Sequence, residues 1–207
     1  MIGYAGNTGF QGVRSSLNPD GTVKSPYGGT HLHLTVAVSK QSNDPKVPQT
    51  EKGFDDAVWN QMAEQMGLQG LIVPEDFGGS GFSYVELIVV LEEMGRRLLC
   101  APYFSTVALA ANTLLHSGDE AAKQAYLPGI ASGETIATLA FTEQNGKWDE
   151  SGITMEASGS GDSWTLTGEK MYVLDGTIAD LIIVAARTAS GVSLFAVAGD
   201  AAGLTRE

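Results

Sequence analysis

A chain of 207 residues in which 43% are hydrophobic is long enough to bury a core, so its composition excludes wholesale disorder. A net charge of −12 excludes a protein whose overall charge attracts nucleic acid phosphates. No apolar run reaches the roughly 18–20 residues that cross a membrane, and no basic-then-apolar secretory signal begins the chain. A single cysteine, Cys100, excludes an internal disulfide, so we expect a protein of the reducing cytoplasm.

The composition changes near residue 50. Residues 1–50 carry four basic and two acidic side chains, whereas residues 51–207 carry eight basic and 22 acidic ones. The first segment is rich in Gly, Ser, Thr, Asn and Pro and has no helical periodicity. We therefore leave residues 1–50 unassigned and expect them to be poorly ordered or adventitious. His31 and His33 have no acidic or cysteine residue beside them in this segment, so we expect no metal site.

Helical periodicity covers residues 51–133. Ser83 with Glu86, and Ser117 with Glu120, have the spacing of a capping box, which predicts that a helix begins at each pair. An amphipathic stretch before the first pair and a proline-initiated segment between the two pairs predict two further helices. We therefore predict a small domain of four helices in this part of the chain.

After residue 133 the hydrophobic period changes from 3.6 to 2, which indicates strands. Gly-rich turns separate the apolar segments, as in an antiparallel sheet or barrel. The fold class is therefore α+β, with a small helical domain followed by an incomplete antiparallel β-barrel domain over residues 134–207. The predicted strands are 135–142, 152–157, 163–168, 170–174, 180–187 and 192–198.

Four motifs follow one another along the chain. They are MGLQGLIVPEDFGGSG at 66–81, LPGIASGE at 127–134, LAFTE at 139–143, and GEKMYVLDG at 168–176 with Ala179-Asp180 after it. In this order and spacing, they resemble the motifs of the acyl-CoA dehydrogenase family.

The resemblance implies an activity that this chain does not complete. Acyl-CoA dehydrogenases use FAD to remove two hydrogens from the α and β carbons of an acyl-CoA thioester, and most pass the electrons to an electron-transfer flavoprotein. The family's third domain, a C-terminal helical bundle, supplies the catalytic base and part of the FAD site. The chain ends before that domain, so we expect no catalytic residue in it and no activity of the chain alone. We also expect homo- or hetero-oligomers with other subunits of the family.

The third and fourth motifs carry the cofactor residues that the resemblance implies. The resemblance implies that Phe141 and Thr142 lie against the flavin ring, with Leu139 nearby. It also implies that Tyr172 and Leu174 lie beside the flavin. Tyr172 replaces the usual Trp and keeps a surface that can stack. Leu174 replaces the usual Thr or Ser, so a hydroxyl near the flavin N5 atom is lost.

Trp148 and Asp149 are the candidate substrate-binding residues. They follow Glu143, where many members have a Pro and a Gly-Ser-Asp turn that helps to hold the CoA thioester, and only the Asp is kept. A Trp-Asp turn combined with Tyr-Val-x-Asp-Gly at 172–176 resembles actinobacterial members. Those members pair two unlike subunits and act on bulky substrates such as sterol side chains.

Each candidate residue also has a structural interpretation. Without the resemblance, Thr142 and Tyr172 would be ordinary strand residues, and Leu174 would be a core residue. Trp148 would be a lid over a barrel, and Asp149 would cap a turn.

Two alternative functions remain open. The chain could be a non-catalytic partner subunit that completes the flavin or CoA site of another subunit. It could also be a flavin- or ligand-binding β-barrel protein with a helical cap and no redox role.

Overall fold

The computed structural model of the chain describes residues 52–160 and 163–207. The unassigned segment 1–50 and its two histidines lie outside these residues. The described residues form two compact units, one of residues 85–99 and one of residues 52–84 and 100–207. None of the helices in the described ranges is both long enough and apolar enough to cross a membrane.

Four helical segments occupy the four predicted positions. Within the described ranges they are α1 (Asp56–Glu64), α2 (Tyr84–Arg97), a π-helix (Phe104–Ala111) that continues into α3 (Asn112–His116), and α4 (Glu120–Ala131). A 3₁₀ turn at Glu75–Phe77 belongs to the first motif. The third segment differs from the prediction because a hydrophobic pattern does not distinguish an α-helix from a π-helix, which has i→i+5 hydrogen bonds.

The helix starts agree with the sequence except at α4. The carboxylate of Asp55 caps α1 by accepting from the backbone N–H of Ala57 at 2.8 Å. Helix α4 is capped by Asp119, which accepts from Ala122 N–H at 2.9 Å, and not by Ser117 as the capping-box pattern predicted. Asp119 lies directly before the first helical residue, where its carboxylate reaches the orphan N–H groups.

The smaller unit consists of most of α2 and the turn after it. Leu87, Val90 and Met94 are buried and recur at helical spacing, as the sequence predicts. Arg96 forms an ion pair with Glu93 at 3.1 Å on the exposed side of the same helix. This pair stabilises the last turn, where a basic side chain also complements the helix dipole.

The larger unit contains a mixed five-stranded sheet, which corrects the prediction of an antiparallel one. The strand order is β1-β4-β2-β3, and β5 pairs with β4. The two hairpins, β2–β3 and β4–β5, are antiparallel, but β1 and β2 are both parallel to β4. The strands are β1 (Ala137–Ala140), β2 (Glu156–Ser160), β3 (Ser163–Thr167), β4 (Leu181–Thr188) and β5 (Gly191–Ala198).

The parallel pairs follow from chain connectivity. Antiparallel neighbours need only a short turn, whereas parallel neighbours need a crossover of a dozen or more residues. The chain between β1 and β4 is long enough to carry the β2–β3 hairpin and a further segment. Strand β4 is central and its residues 181–186 are all buried, so it is apolar on both faces.

The predicted strand at 170–174 is wrong. The structure has irregular backbone there, because Tyr172 and Asp175 have φ angles of 56° and 54°. Side chains with a Cβ rarely adopt this left-handed conformation, which is incompatible with a strand.

The main core of the larger unit lies between its own helices and the sheet. Side chains from the first motif, the π-helix, α3, α4, β1 and β4 pack together there. Gly133 ends α4 with a φ of 80°, and a Cβ at this position would lie 2.6 Å from the Cβ of Ala63. The buried cluster contains Val73, Ala110, Ala111, Leu114, Leu127, Ile130, Ala131, Ala137, Leu181 and Ile183.

The sheet is strongly curled. Strands β3 and β5 lie at opposite ends of the path β3-β2-β4-β5, yet the rings of Trp164 and Phe195 are 5.4 Å apart between centroids. A flat sheet would separate these strands by three strand spacings of about 4.8 Å each. The curl therefore agrees with the predicted incomplete barrel.

Candidate functional site

The third and fourth motifs lie side by side. Strand β1 uses one edge to pair with β4, and the irregular segment 170–175 runs along its other side in the opposite direction. The backbone N–H of Met171 donates to the carbonyl of Thr142 at 2.8 Å, and the hydroxyl of Thr138 donates to the carbonyl of Leu174 at 2.6 Å. The structure therefore brings together two sequence segments that carry all five candidate cofactor residues.

Three of the candidate side chains are exposed to an unusual degree for nonpolar residues. Tyr172 is 82% exposed, Trp148 is 81% exposed, and Leu174 is 51% exposed. The ring of Phe141 meets that of Trp148 edge to face, with 5.7 Å between centroids. Aromatic rings presented in this way can stack on a flat ligand.

Thr142 and Leu139 are placed differently from these exposed side chains. Thr142 is 8% exposed, and its hydroxyl makes no hydrogen bond within the described parts of the chain. This hydroxyl is therefore available to a ligand at the end of β1. Leu139 is partly buried and packs against the main core, where it supports the strand.

Asp149 caps a short turn. Its carboxylate accepts from the backbone N–H of Ser151 at 2.8 Å, at the start of the 3₁₀ turn Glu150–Gly152. Hydrogen bonds from Ser151 lower the pKa of Asp149 below its ordinary value. This geometry agrees with the structural interpretation of Asp149 and leaves its substrate role a prediction.

A buried ion pair, which the sequence analysis did not identify, joins the two motifs. The Nζ atom of Lys170 lies 2.6 Å from Oε1 of Glu143, and the two side chains are 6% and 5% exposed. The Glu143 carboxylate also accepts from the Thr154 hydroxyl and from the backbone N–H groups of Thr154 and Met155. In the sequence, the ion pair was indicated only by an acidic residue in the third motif and a basic residue in the fourth.

Opposing effects set the protonation of Glu143. Burial raises the pKa of the Glu143 carboxyl group. The hydrogen bonds from Lys170, Thr154 and Met155 lower the pKa by more than burial raises it, so the pKa falls to about 2. The carboxylate is therefore ionised at neutral pH and can hold Lys170 in place.

The π-helix supplies two more anchors. The buried hydroxyl of Ser105 donates to Oδ2 of Asp175 at 2.6 Å, which is the short distance typical of a bond to a charged acceptor. The hydroxyl of Thr106 accepts from the backbone N–H of Ala137 at 3.2 Å. Sequence reasoning missed both, although π-helices often mark functional sites.

The rings of Tyr172 and Trp148 leave the candidate surface open to solvent. Two hollows of about 480 and 420 Å³ occur in the larger unit. Neither is lined by the side chains of Phe141, Thr142, Tyr172 or Leu174. No group of three or more His, Cys, Asp or Glu residues is gathered for a metal ion within the described ranges.

Two domain descriptions of one family match the sequence. Residues 23–134 match "Acyl-CoA dehydrogenase, N-terminal domain", and residues 138–207 match "Acyl-CoA dehydrogenase, middle domain". The chain belongs to the acyl-CoA dehydrogenase family. The first match begins within the segment that the sequence analysis left unassigned, so the change in charge near residue 50 is not the start of the family match.

Curated and solved acyl-CoA dehydrogenases resemble the chain over most of its length. "Acyl-CoA dehydrogenase FadE27" of Mycobacterium tuberculosis is 31% identical over 171 residues, which are 83% of this chain and 44% of that protein. The ChsE4-ChsE5 complex from Mycobacterium tuberculosis contains a chain that is 32% identical, with a TM-score of 0.67 over 76% of this chain and 42% of that one. A glutaryl-CoA dehydrogenase from Mycobacterium smegmatis, solved in complex with FADH2, is 25% identical, with a TM-score of 0.65 over 73% of this chain and 39% of that one.

The chain spans less than half the length of these acyl-CoA dehydrogenases. The matches nevertheless confirm the family resemblance and the order of a helical domain before a β domain.

Proposed function

We propose that the chain contributes the N-terminal and middle domains of an FAD-dependent acyl-CoA dehydrogenase. Phe141, Thr142, Tyr172 and Leu174 form its share of the flavin-binding surface, and Leu139 supports that surface from behind. The observation that carries the proposal is the close pairing of segment 170–175 with β1, which leaves the ring of Tyr172 exposed next to the segment that carries Thr142. The related glutaryl-CoA dehydrogenase in complex with FADH2 supports FAD as the cofactor.

The residues present fit a flavin. The exposed ring of Tyr172 offers a face for stacking, and the hydroxyl of Thr142 offers a donor that has no partner within the described chain. The chemistry that FAD supplies, when bound, is acceptance of a hydride from the β carbon of an acyl-CoA. Tyr172 and Thr142 would hold and orient the ring, and a fixed hydrogen-bond donor such as the Thr142 hydroxyl would favour the reduced form.

The substrate in this proposal is an acyl-CoA thioester, and the electron acceptor is an electron-transfer flavoprotein. Trp148 and Asp149 are the proposed substrate contacts. Trp148 is held edge to face against Phe141, so it lies next to the proposed flavin surface. Asp149 holds the following turn, and its side chain fixes the backbone course beyond Trp148.

The direct test is a titration of FAD into the chain together with a polypeptide that supplies the C-terminal domain of a related dehydrogenase. Thr142→Val removes one hydroxyl hydrogen bond and should weaken FAD binding by about 1–2 kcal/mol. Tyr172→Ala removes a stacking surface and should weaken it by about 1–3 kcal/mol. The same FAD affinity in both variants and in the unaltered chain would mean that the flavin lies elsewhere.

The 207 residues alone should not turn over acyl-CoA, because the resemblance implies that the catalytic base comes from the family's C-terminal domain. FAD affinity of the chain alone should be low, because an open surface buries only part of the ligand. Reduction of an artificial electron acceptor, followed by absorbance, measures turnover, and a titration followed by flavin fluorescence measures FAD affinity. Turnover by the chain alone would contradict this assignment.

A second candidate is a non-catalytic partner subunit of a heteromeric acyl-CoA dehydrogenase. Leu174 favours it, because this residue replaces the hydroxyl that most members have near N5. The similarity to a chain of the ChsE4-ChsE5 complex also supports a heteromeric assembly. Copurification with an unlike dehydrogenase subunit, and flavin bound only through that subunit, would favour this function over the first.

A further inference from the structure

Segment 170–175 is irregular, yet polar contacts hold it at both ends. At the first end, Lys170 makes its buried ion pair with Glu143, with 2.6 Å between Nζ and Oε1. At the other end, the fully buried Ser105 donates its hydroxyl to Oδ2 of Asp175 at 2.6 Å. Both bonds involve a carboxylate, so both belong to the stronger class of charge-assisted hydrogen bonds.

The backbone between these anchors is strained. Tyr172 and Asp175 have φ angles of 56° and 54°, in the left-handed region that side chains with a Cβ disfavour. Such conformations persist where the surroundings over-determine them, and they concentrate at ligand-binding sites. The two end contacts, together with the bonds from Met171 and Thr138, supply that over-determination.

The strain does not serve packing of the Tyr172 side chain. Its ring is 82% exposed, so the folded chain buries almost none of its apolar area in return for the unfavourable backbone. The strained backbone at Tyr172 is explained physically if it serves to point the exposed ring in one direction, toward a ligand.

We propose that Lys170 and Asp175 are positioning residues that hold segment 170–175 strained, so that the ring of Tyr172 is presented to the flavin. Their partners Glu143 and Ser105 complete the two anchors. This inference rests on the proposed function for its ligand. The preorganised backbone itself is testable without any flavin.

The first measurement follows backbone amide exchange in the 207-residue chain, without cofactor. Lys170→Met and Ser105→Ala each remove one anchor. Each should speed exchange of the Met171 amide by about tenfold or more, because its bond to Thr142 opens more often when one anchor is lost. The Ala186 amide in the central strand should stay strongly protected relative to an unfolded chain, which shows that each variant remains folded.

Two control variants separate the anchor from general effects. Lys123→Met removes a partly buried lysine that pairs with the exposed Glu120 at 2.7 Å on α4, and it should leave Met171 exchange unchanged. Lys170→Arg keeps the charge, and it should restore most of the protection that Lys170→Met loses. Unchanged Met171 exchange in both anchor variants would overturn the proposal.

The second measurement titrates FAD and follows the NMR signals of Thr142 and Tyr172. In the unaltered chain both signals should shift, even with weak binding, and each anchor variant should bind about tenfold more weakly. Faster exchange with unchanged FAD affinity would show that the anchors are merely structural and would overturn the positioning role. Absence of any shift in the unaltered chain would instead refute the proposed flavin surface, while amide exchange still decides whether the anchors hold the segment.

Discussion

At the scale of single residues, removal of the Glu143 carboxylate should be costly because its partner stays buried. Glu143→Gln leaves the ammonium group of Lys170 buried at 6% exposure without a charged partner. We expect a loss of about 3–5 kcal/mol in the free energy of unfolding, measured with urea. Glu120→Gln is the matched control, because Glu120 is 74% exposed in its ion pair with Lys123 and should cost less than about 1 kcal/mol.

The same carboxylate predicts a pH dependence. Because the pKa of Glu143 is lowered to about 2 in the folded chain, its contribution is complete above the pKa of the unfolded carboxyl group, about 4.3. The contribution is lost as pH falls from that value toward 2. The unfolding free energy should therefore fall less steeply over this range in Glu143→Gln than in the unaltered chain. Equal slopes would show that another group dominates.

Leu174 tests which kind of subunit the chain is. Leu174→Thr restores the hydroxyl that most members carry near N5, so a subunit with its own flavin should show a changed flavin absorption spectrum. A partner subunit without flavin should show none. Leu194→Thr on β5 is the control, because Leu194 is 46% exposed and Leu174 is 51% exposed. Equal effects of the two changes would rule out a specific role for Leu174.

At the scale of elements, the π-helix anchors the first strand. Thr106→Val removes the acceptor for the buried N–H of Ala137 and should destabilise the chain by about 1–3 kcal/mol in urea unfolding. Thr113→Val is the control, because that hydroxyl donates to Leu109 within its own helix and its loss leaves no buried N–H without an acceptor. A smaller effect at Thr106 than at Thr113 would contradict the anchoring role.

Elements also show what the sequence could and could not predict. Periodicity located four helices and five of the six proposed strands, because an apolar face recurs with the period of its element. Strand pairing was missed, since the position of β4 between β1, β2 and β5 depends on contacts distant in sequence. The strand predicted over Tyr172 failed because hydrophobic alternation carries no information on a left-handed φ angle.

The candidate site was predictable only in part. The motifs identified both segments of the surface, since Phe141, Thr142 and Tyr172 belong to recognisable runs of residues. The partners that hold these segments were not predictable in the same way. In sequence, Lys170 and Glu143 are separated by the whole β2–β3 hairpin. Ser105 lies in the π-helix, and the direction of its hydroxyl depends on the π-type turn.

At the scale of the whole molecule, flavin affinity should depend on the C-terminal domain of the family. When a C-terminal domain is supplied, FAD at about 100 times its dissociation constant should stabilise the complex by about 2.7 kcal/mol. A thermal unfolding scan should then show a higher midpoint with FAD than without it. The chain alone should show little change, and the complex with Tyr172→Ala should show a smaller one. An equal rise in the chain alone would mean that it forms a complete site.

The position of segment 170–175 beside β1 also has a consequence for the order of folding. The bond between Met171 and Thr142 closes a loop that contains the whole β2–β3 hairpin, whereas that hairpin needs only a tight local turn. Local contacts form early because they cost little loop-closure entropy, and contacts that enclose other elements form late. The proposed flavin surface should therefore become native after the β2–β3 hairpin. During synthesis, the aromatic side chains of this surface would acquire their final arrangement only once that hairpin has formed.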